Sequence, residues 1–320
     1  MTVGPRARAV FFGSPAFAVP SLHVVAAETQ LLAVVSQPDR PSGRGQASAA
    51  PPVKVAATVL GVPVLQPEKL RTPETLAALA AFHADVFVVV AYGRILPQAM
   101  LDLPRRGPFN VHASLLPRLR GAAPIQWAIM RGEAETGVSI MRMEAGLDTG
   151  PVAARRALAI AEDDTAGGLS AKLAELGAGL LAETLPAIMK GDVALEPQDE
   201  AAHTLAPPLS KADGRLDFNR PARSVSAQAR GVDPWPGATA LLDGEPMRLF
   251  GPRLFPPAPQ IRQPGEVVGL QDGSLLIACA DPADGLIGFA ELQLPGRRRL
   301  PASAVLAGRP IPAGTRLGPS

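Results

Sequence analysis

The chain has 320 residues, 47% hydrophobic and 19% charged, with a formal net charge of +2; that length and balance fit two globular domains and exclude a disordered polyanion or polycation. No apolar run approaches the ~20 residues needed to cross a bilayer, and the start of the chain has arginines but no apolar stretch or small-residue cleavage site, so neither a membrane span nor a signal peptide is expected. Cys279 is the single cysteine, which excludes an intrachain disulfide, argues against a thiolate metal cluster and fits a reducing cytoplasm.

The first half alternates short apolar runs with helical patterns. Residues 7–12 read as a strand ending in Gly13-Ser14-Pro15, where Ser14 suits a helix cap and Pro15 a first turn, giving a helix over 16–27. A buried strand follows at 31–36, then helices at 53–60 and 73–82. Residues 85–91 are continuously apolar after the aspartate, as in a parallel strand covered on both faces. Shorter strands are expected at 108–112 and 137–141, and a long helix at 165–190, capped by Asp164-Thr165 and stopped by Gly191. Strand–helix alternation predicts an α/β fold with a doubly wound, mostly parallel, Rossmann-like sheet. Ligands of such sheets bind beyond the carboxyl ends of strands, which brings Tyr92-Gly93 and the 110–112 segment to one crevice.

A polar, proline-containing segment, 196–208, reads as a linker, so residues 1–195 form the first domain and 209–320 a second. Beyond it, helical pattern persists only near 222–231 and 301–307. Short strands are expected at 238–242, 247–254, 265–270, 274–278 and 286–294, with hairpin turns at Asp243-Gly244 and Asp272-Gly273. This is the pattern of a small β-barrel. It is also the basic part: 13 Lys/Arg against 10 Asp/Glu from Leu209 onward, against 18 and 19 before it. So small an excess fits a solvated surface as well as a polyanionic partner.

The chemistry concentrates in Asn110-Val111-His112-Ala113-Ser114-Leu115-Leu116-Pro117 and Gly146-Leu147-Asp148-Thr149-Gly150. Asn110 and His112, two apart on a strand, share a face. Asp148 sits in a sequence that suits a carboxylate-displaying turn. A buried histidine is often only structural, and an aspartate in a turn is often only a turn-former. Read as a unit, the three suit acyl transfer without a covalent enzyme intermediate. Asn110 donates to the developing oxyanion, His112 moves a proton near its reference pKa of ~6.5, and Asp148 orients the imidazole or acts through water.

Further motifs flank this site: Phe12-Gly13-Ser14-Pro15, Gln37-Pro38-Asp39-Arg40-Pro41 with Gly43-Arg44-Gly45, Val90-Ala91-Tyr92-Gly93-Arg94-Ile95-Leu96-Pro97, Arg120-Gly121-Ala122-Ala123-Pro124-Ile125-Gln126, Leu209-Ser210-Lys211 and Pro234-Trp235-Pro236. In this order and spacing, and nearly end to end, the chain resembles the formyltransferases that use 10-formyltetrahydrofolate, most closely the branch acting on initiator methionyl-tRNA. The resemblance implies direct transfer of formyl from the folate N10 to the methionine α-amino group through a tetrahedral intermediate. It implies no metal, and a monomer. Asn110, His112 and Asp148 match the family's catalytic residues; Ser114, Leu115, Leu116 and Pro117 match its folate site, with Val90, Tyr92, Gly93, Ile95 and Leu96 walling the pterin slot. The second domain corresponds to an OB-like barrel that binds tRNA.

The 37–54 segment, rich in Pro and Gly, reads as a long loop with a local excess of positive charge from Arg40, Arg44 and Lys54 over Asp39. The resemblance makes it the insertion that meets the tRNA acceptor end, with Arg44 at the stem, where charge-assisted bonds to phosphate are strong. Arg40, Lys211, Arg297 and Arg298 complete the expected tRNA contacts; Trp235 is expected to pack at the barrel edge. The chain departs from the family in reading Gln46-Ala47-Ser48-Ala49-Ala50 where further basic residues are frequent, and Leu119 where an aromatic is frequent. Rival readings are a formyltransferase acting on an amino sugar nucleotide, a formyl-folate hydrolase, and a non-catalytic folate- or RNA-binding protein, which would have a damaged trio.

Overall fold

The computed structural model describes residues 6–42, 47–257 and 262–318. The chain divides into two units: Met1–Pro124 with Glu135–Ala159 and Ser170–Ala206, and Ile125–Ala134 with Ile160–Leu169 and Pro207–Ser320.

The first unit is built on a seven-stranded sheet. Its strands are β1 (Arg8–Gly13), β2 (Gln30–Val35), β5 (Val64–Leu65), β6 (Val86–Val90), β7 (Pro108–His112), β8 (Glu135–Arg142) and β9 (Val152–Ala159), in the order β5-β2-β1-β6-β7-β8-β9. The first five are parallel, while β8 and β9 add antiparallel strands at one side. The chain runs outward from β1 through β2 to β5, then returns to β6 on the other side of β1. That reversal creates the switch point beyond which ligands of open sheets bind.

Every residue of β6 is buried, as its unbroken valine-rich run requires of a strand covered on both faces. Phe12 packs tilted against Phe87 with ring centroids 5.0 Å apart and meets Tyr92 edge-on at 5.6 Å. Helices α1 (Val19–Glu28), α2 (Pro52–Val59), α3 (Pro73–Ala80), α4 (Gln98–Leu101) and the long α6 (Ala166–Lys190) accompany the strands. The α6 cap is as expected: Thr165 Oγ1 accepts from Gly168 N–H at 3.1 Å. The expected Ser14 cap is not formed. The Ser14 hydroxyl instead accepts the Gln37 N–H at 3.1 Å, because a short 3₁₀ turn over Ala16–Ala18 moves the start of α1 to Val19. Between Gln37 and α2, where a loop is expected, the chain forms a small antiparallel ladder of β3 (Arg40–Ser42) and β4 (Ala47–Ala49). Residues 43–46, and with them the expected tRNA-binding Arg44, lie outside the described residues.

The second unit includes α5 (Pro124–Met130) from Ile125 on, α7 (Ala222–Gly231), α8 (Ala302–Gly308) and a six-stranded antiparallel sheet. The strands are β10 (Ala238–Leu242), β11 (Glu245–Phe255), β12 (Val267–Gln271), β13 (Ser274–Ala278), β14 (Leu286–Gln293) and β15 (Leu300–Pro301). Asp243-Gly244 and Asp272-Gly273 turn two of its hairpins with all four residues at positive φ, the geometry that matches strand twist. Near the carboxy terminus one segment bonds to both outer strands: Gly318 exchanges two backbone hydrogen bonds with Leu241 of β10, and Thr315 O accepts from Val267 N–H of β12. This pairs the edges that an open sheet would leave exposed. Phe289, Leu275, Ile277 and Val225 of α7 fill the interior. Trp235, expected to pack, is instead 55% exposed.

Cys279 belongs to this core. Burial, reinforced by Asp284, pushes its thiol up to about 12. A thiolate reagent such as DTNB is therefore expected to leave Cys279 unmodified in the native protein at pH 8 and to titrate one thiol per chain in denaturant; rapid native labelling would show the core to be open there. No helix among the described residues is long and apolar enough to cross a membrane.

Candidate active site

β7 ends in the site. Its Phe109 and Val111 are buried on one face, and α6 comes so close to Val111 that a Cβ at Gly177 would stand 3.0 Å from it. Alternation then sends Asn110 and His112 to the opposite face. Asn110 is only partly buried, and its side-chain amide makes no hydrogen bond among the described residues.

His112 is 6% exposed and held through one ring nitrogen. Its Nε2 lies 3.0 Å from the Leu119 carbonyl oxygen. A carbonyl only accepts, so Nε2 carries the proton. The neutral ring therefore presents its lone pair at Nδ1, which lies 3.7 Å from Asp148 Oδ2. That separation is an ion-pair distance and too long for a direct hydrogen bond. The Asp148 carboxylate thus stands on the side of the ring from which Nδ1 would take a proton. The same Oδ2 accepts the Gly121 N–H at 2.9 Å, which fixes the carboxylate against the loop that carries the Leu119 carbonyl.

Both loops are strained. Leu119 has φ +59° and Asp148 φ +52°, and Ala91, next to Tyr92, has φ +46°. Three of the six non-glycine residues at positive φ among the described residues thus sit in loops at the ends of β6 and β7 or carry Asp148. Such conformations cost of order 1–3 kcal/mol each and persist where surrounding bonds over-determine them.

The bonds come from a segment that the sequence presents as a linker. Thr204 Oγ1 accepts the Leu119 N–H at 2.9 Å, and Thr204 O accepts the Arg120 N–H at 2.8 Å. Gln198 and Glu200 engage the Arg120 guanidinium, and Gln198 also reaches the backbone of the 148–150 turn. The Arg120 hydrogen bonds hold the Glu200 carboxyl below its usual range. With the folded value depressed, this pair is in place at neutral pH and is lost only as pH falls through that lowered value. None of Gln198, Thr204 or the Leu119 carbonyl is visible as functional in the sequence. The partners lie about 80 residues apart, and a polar stretch carries no mark of what it bonds to.

The segment expected to line a folate site is tied down tightly. The Ser114 hydroxyl donates to Arg118 O at 2.6 Å, serving turn geometry. Ser139 accepts the Leu116 N–H at 3.0 Å and donates to Ser114 O at 2.7 Å, while Arg155 Nε donates to Leu116 O at 2.8 Å. Leu116 packs with Met141 and Val152, leaving half-buried Leu115 and Pro117 as the more accessible members.

The expected wall at 90–96 needs a similar correction. Val90, Tyr92 and Leu96 are buried, with the Tyr92 ring and Leu96 in the core around Phe12 and Met100, so these residues can offer a ligand only backbone. An apolar run at a strand end serves wall or core equally well, and here the core takes it. Gly93, at φ +79°, passes so close to Gln37 that a Cβ would stand 2.6 Å from its Nε2; Ile95, at 76% exposed, is the apolar side chain left outside. Gln37 Nε2 donates to Tyr92 O at 2.9 Å, and Gln37 Oε1 accepts from Arg40 at 2.8 Å.

The expected basic residues divide. Lys54 is consumed by Asp39 at 2.7 Å and by Gln66, which removes it from the positive excess of the 37–54 segment. Arg40, Lys211, Arg297 and Arg298 are exposed. Arg299, by contrast, lies 4.1 Å above the Phe250 ring and pairs with Glu291.

This arrangement can polarise a carbonyl through Asn110 and accept a proton at Nδ1, with Asp148 on the same side of the ring. Comparison with known proteins bears on the family. The family described as Formyl transferase matches residues 7–185, and Formyl transferase, C-terminal domain, matches residues 208–310. A protein of Sorangium cellulosum named methionyl-tRNA formyltransferase is 48% identical over 97% of this chain and 99% of its own length. Among solved structures, HypX from Aquifex aeolicus in complex with tetrahydrofolic acid aligns with a TM-score of 0.63 at 20% identity, over 94% of this chain and 47% of that one. WlaRD, a sugar 3N-formyl transferase, aligns with a TM-score of 0.66 at 16% identity, over 92% of this chain and 100% of that one. At those identities the solved structures speak to the fold alone. With both domain families matched in order and a relative alike from end to end, the chain belongs to the formyl transferase family.

Proposed function

We propose that this protein transfers a formyl group from 10-formyltetrahydrofolate to the α-amino group of methionine on initiator methionyl-tRNA, acting as a cytoplasmic monomer. The observation that carries the chemistry is the polarity of His112: Nε2–H is committed to Leu119 O, so Nδ1 is the basic nitrogen, and it lies on the Asp148 side. The attacking amine gives up a proton to that nitrogen, directly or through water. Asn110 donates to the oxygen of the tetrahedral intermediate, and the leaving folate nitrogen recovers the proton. No acyl-enzyme forms. The acceptor is chosen by the end-to-end identity to the Sorangium cellulosum protein; the likeness to WlaRD, at 16% identity, supports a shared fold without a shared acceptor. One assay containing formyl donor, charged initiator tRNA and a dTDP-amino sugar decides the matter. Formyl-methionine is the expected product, and formylation of the sugar alone would overturn the reading.

The basic excess from Leu209 onward, 13 Lys/Arg against 10 Asp/Glu, gives this reading a further support. Arg297 and Arg298 are exposed and make no ion pair among the described residues, unlike Arg299. Replacing both with alanine is expected to weaken tRNA binding and to reduce the slope of log K against log salt by about 1–2, roughly 0.9 for each phosphate no longer neutralised. Folate affinity is expected to stay unchanged. An unaltered salt slope would remove these arginines from the tRNA path.

A further inference from the structure

We infer that Gln198 is a positioning residue for formyl transfer, holding the Asp148 turn in register with the loop that orients His112. The inference rests on the reading of this site as a formyl transferase centre.

The Gln198 amide is engaged at both ends. Its Nε2 donates to Asp148 O at 2.8 Å and to Gly150 O at 2.7 Å. Its Oε1 accepts from Arg120 Nε at 3.0 Å and from Arg120 Nη2 at 2.9 Å. A primary amide has two donor hydrogens and two acceptor lone pairs, and all four are used. Arg120 is 3% exposed, and its remaining side-chain bonds go to Glu200. Its backbone lies between Leu119, whose carbonyl fixes the imidazole, and Gly121, whose N–H fixes the carboxylate. One side chain thus ties together the two strained loops on which His112 and Asp148 depend.

The polarity of these bonds makes the residue type specific. Glutamate in place of Gln198 would keep the Arg120 side, and even strengthen it. It would also turn a carboxylate oxygen toward two carbonyl oxygens, which removes two bonds and adds repulsion. Methionine of similar length would fill the space and lose all four bonds. Either change frees the Asp148 turn, and a displacement of ~1 Å at such a group costs on the order of 10²-fold in rate.

The test is a double-mutant cycle in the full-length protein, with single-turnover formyl transfer to methionyl-tRNA as the readout. Gln198→Met is expected to lower the rate constant by about 10- to 100-fold while moving the KM of either substrate by less than about twofold. In an Asp148→Asn background the same change is expected to cost less than about twofold, because the group it positions has already lost its function. Gln198→Glu should behave like Gln198→Met in the wild-type background, although it retains the bonds to Arg120. A purely structural role would lower thermal stability and depress both backgrounds by the same factor; that outcome, or an undiminished Gln198→Met rate, overturns the inference. If Gln198→Met fails to fold, the cycle is run with Gln198→Glu and the same criteria apply. Absence of transfer by the wild-type protein would instead overturn the functional reading itself.

Discussion

Replacing His112 with alanine is expected to lower formyl transfer to methionyl-tRNA by about 10²- to 10⁴-fold, the range typical of losing a positioned general base. The ring is buried and its Nε2–H is bound to the Leu119 carbonyl, so no neighbouring nitrogen takes over at Nδ1. Asp148→Ala should fall in the same range, since it removes the anion that stabilises the imidazolium at 3.7 Å. Asn110→Ala should cost about 10²- to 10³-fold, as for a lost oxyanion donor. Its side chain is bonded to nothing else among the described residues, so folding should be little affected. The measurement is single-turnover transfer at saturating folate, with circular dichroism to establish that each variant is folded. Undiminished transfer by His112→Ala or Asp148→Ala would remove the trio from the mechanism.

The strand that carries Asn110 and His112 is also what the sequence reveals best. Pro108–His112 is visible because an apolar run stops at two polar residues two apart, and a strand is the only element that puts them on one face. β6 is visible because few other elements tolerate an unbroken run of valine and phenylalanine. β9 escapes notice for the opposite reason. Val152-Ala153-Ala154-Arg155-Arg156-Ala157-Leu158-Ala159 has neither alternation nor strong strand formers, and its conformation comes from pairing with β8. The antiparallel pairing of β3 with β4 is hidden in the same way by prolines and glycines that read as loop.

What supports the trio is less visible still. A histidine announces chemistry by its pKa, whereas Gln198 and Thr204 act by bonding to partners as far as 78 and 85 residues away. Nothing local distinguishes such a glutamine from one in a solvated linker. Pro- and Gln-containing polar stretches are the usual composition of linkers, and only the buried Arg120, which requires partners, makes this one part of the site. The Tyr92 ring fails as a wall residue by the same logic of packing: an aromatic at a strand end finds its best neighbours around Phe12 in the core.

Gly150→Ala is expected to cost on the order of 1–3 kcal/mol of stability and on the order of 10²-fold in transfer rate, although it changes no catalytic group. A Cβ on Gly150 would collide with the backbone carbonyl of Arg142, and that oxygen belongs to β8 and cannot rotate away. The turn must move, and Gly150 O is one of the two carbonyls that Gln198 holds, with Asp148 two residues before it. Gly146, at the other end of the same turn, provides the control. There a Cβ would meet mainly the Thr149 side chain, whose hydroxyl and methyl can rotate. Gly146→Ala is therefore expected to retain transfer within about tenfold, a loss of at most ~1.4 kcal/mol in transition-state stabilisation. Thermal melts and single-turnover rates of the two variants, side by side, separate a turn that is seated through its glycine from one that tolerates any small residue. Equal retention of activity by both would mean that the position of Asp148 does not depend on how this turn is packed.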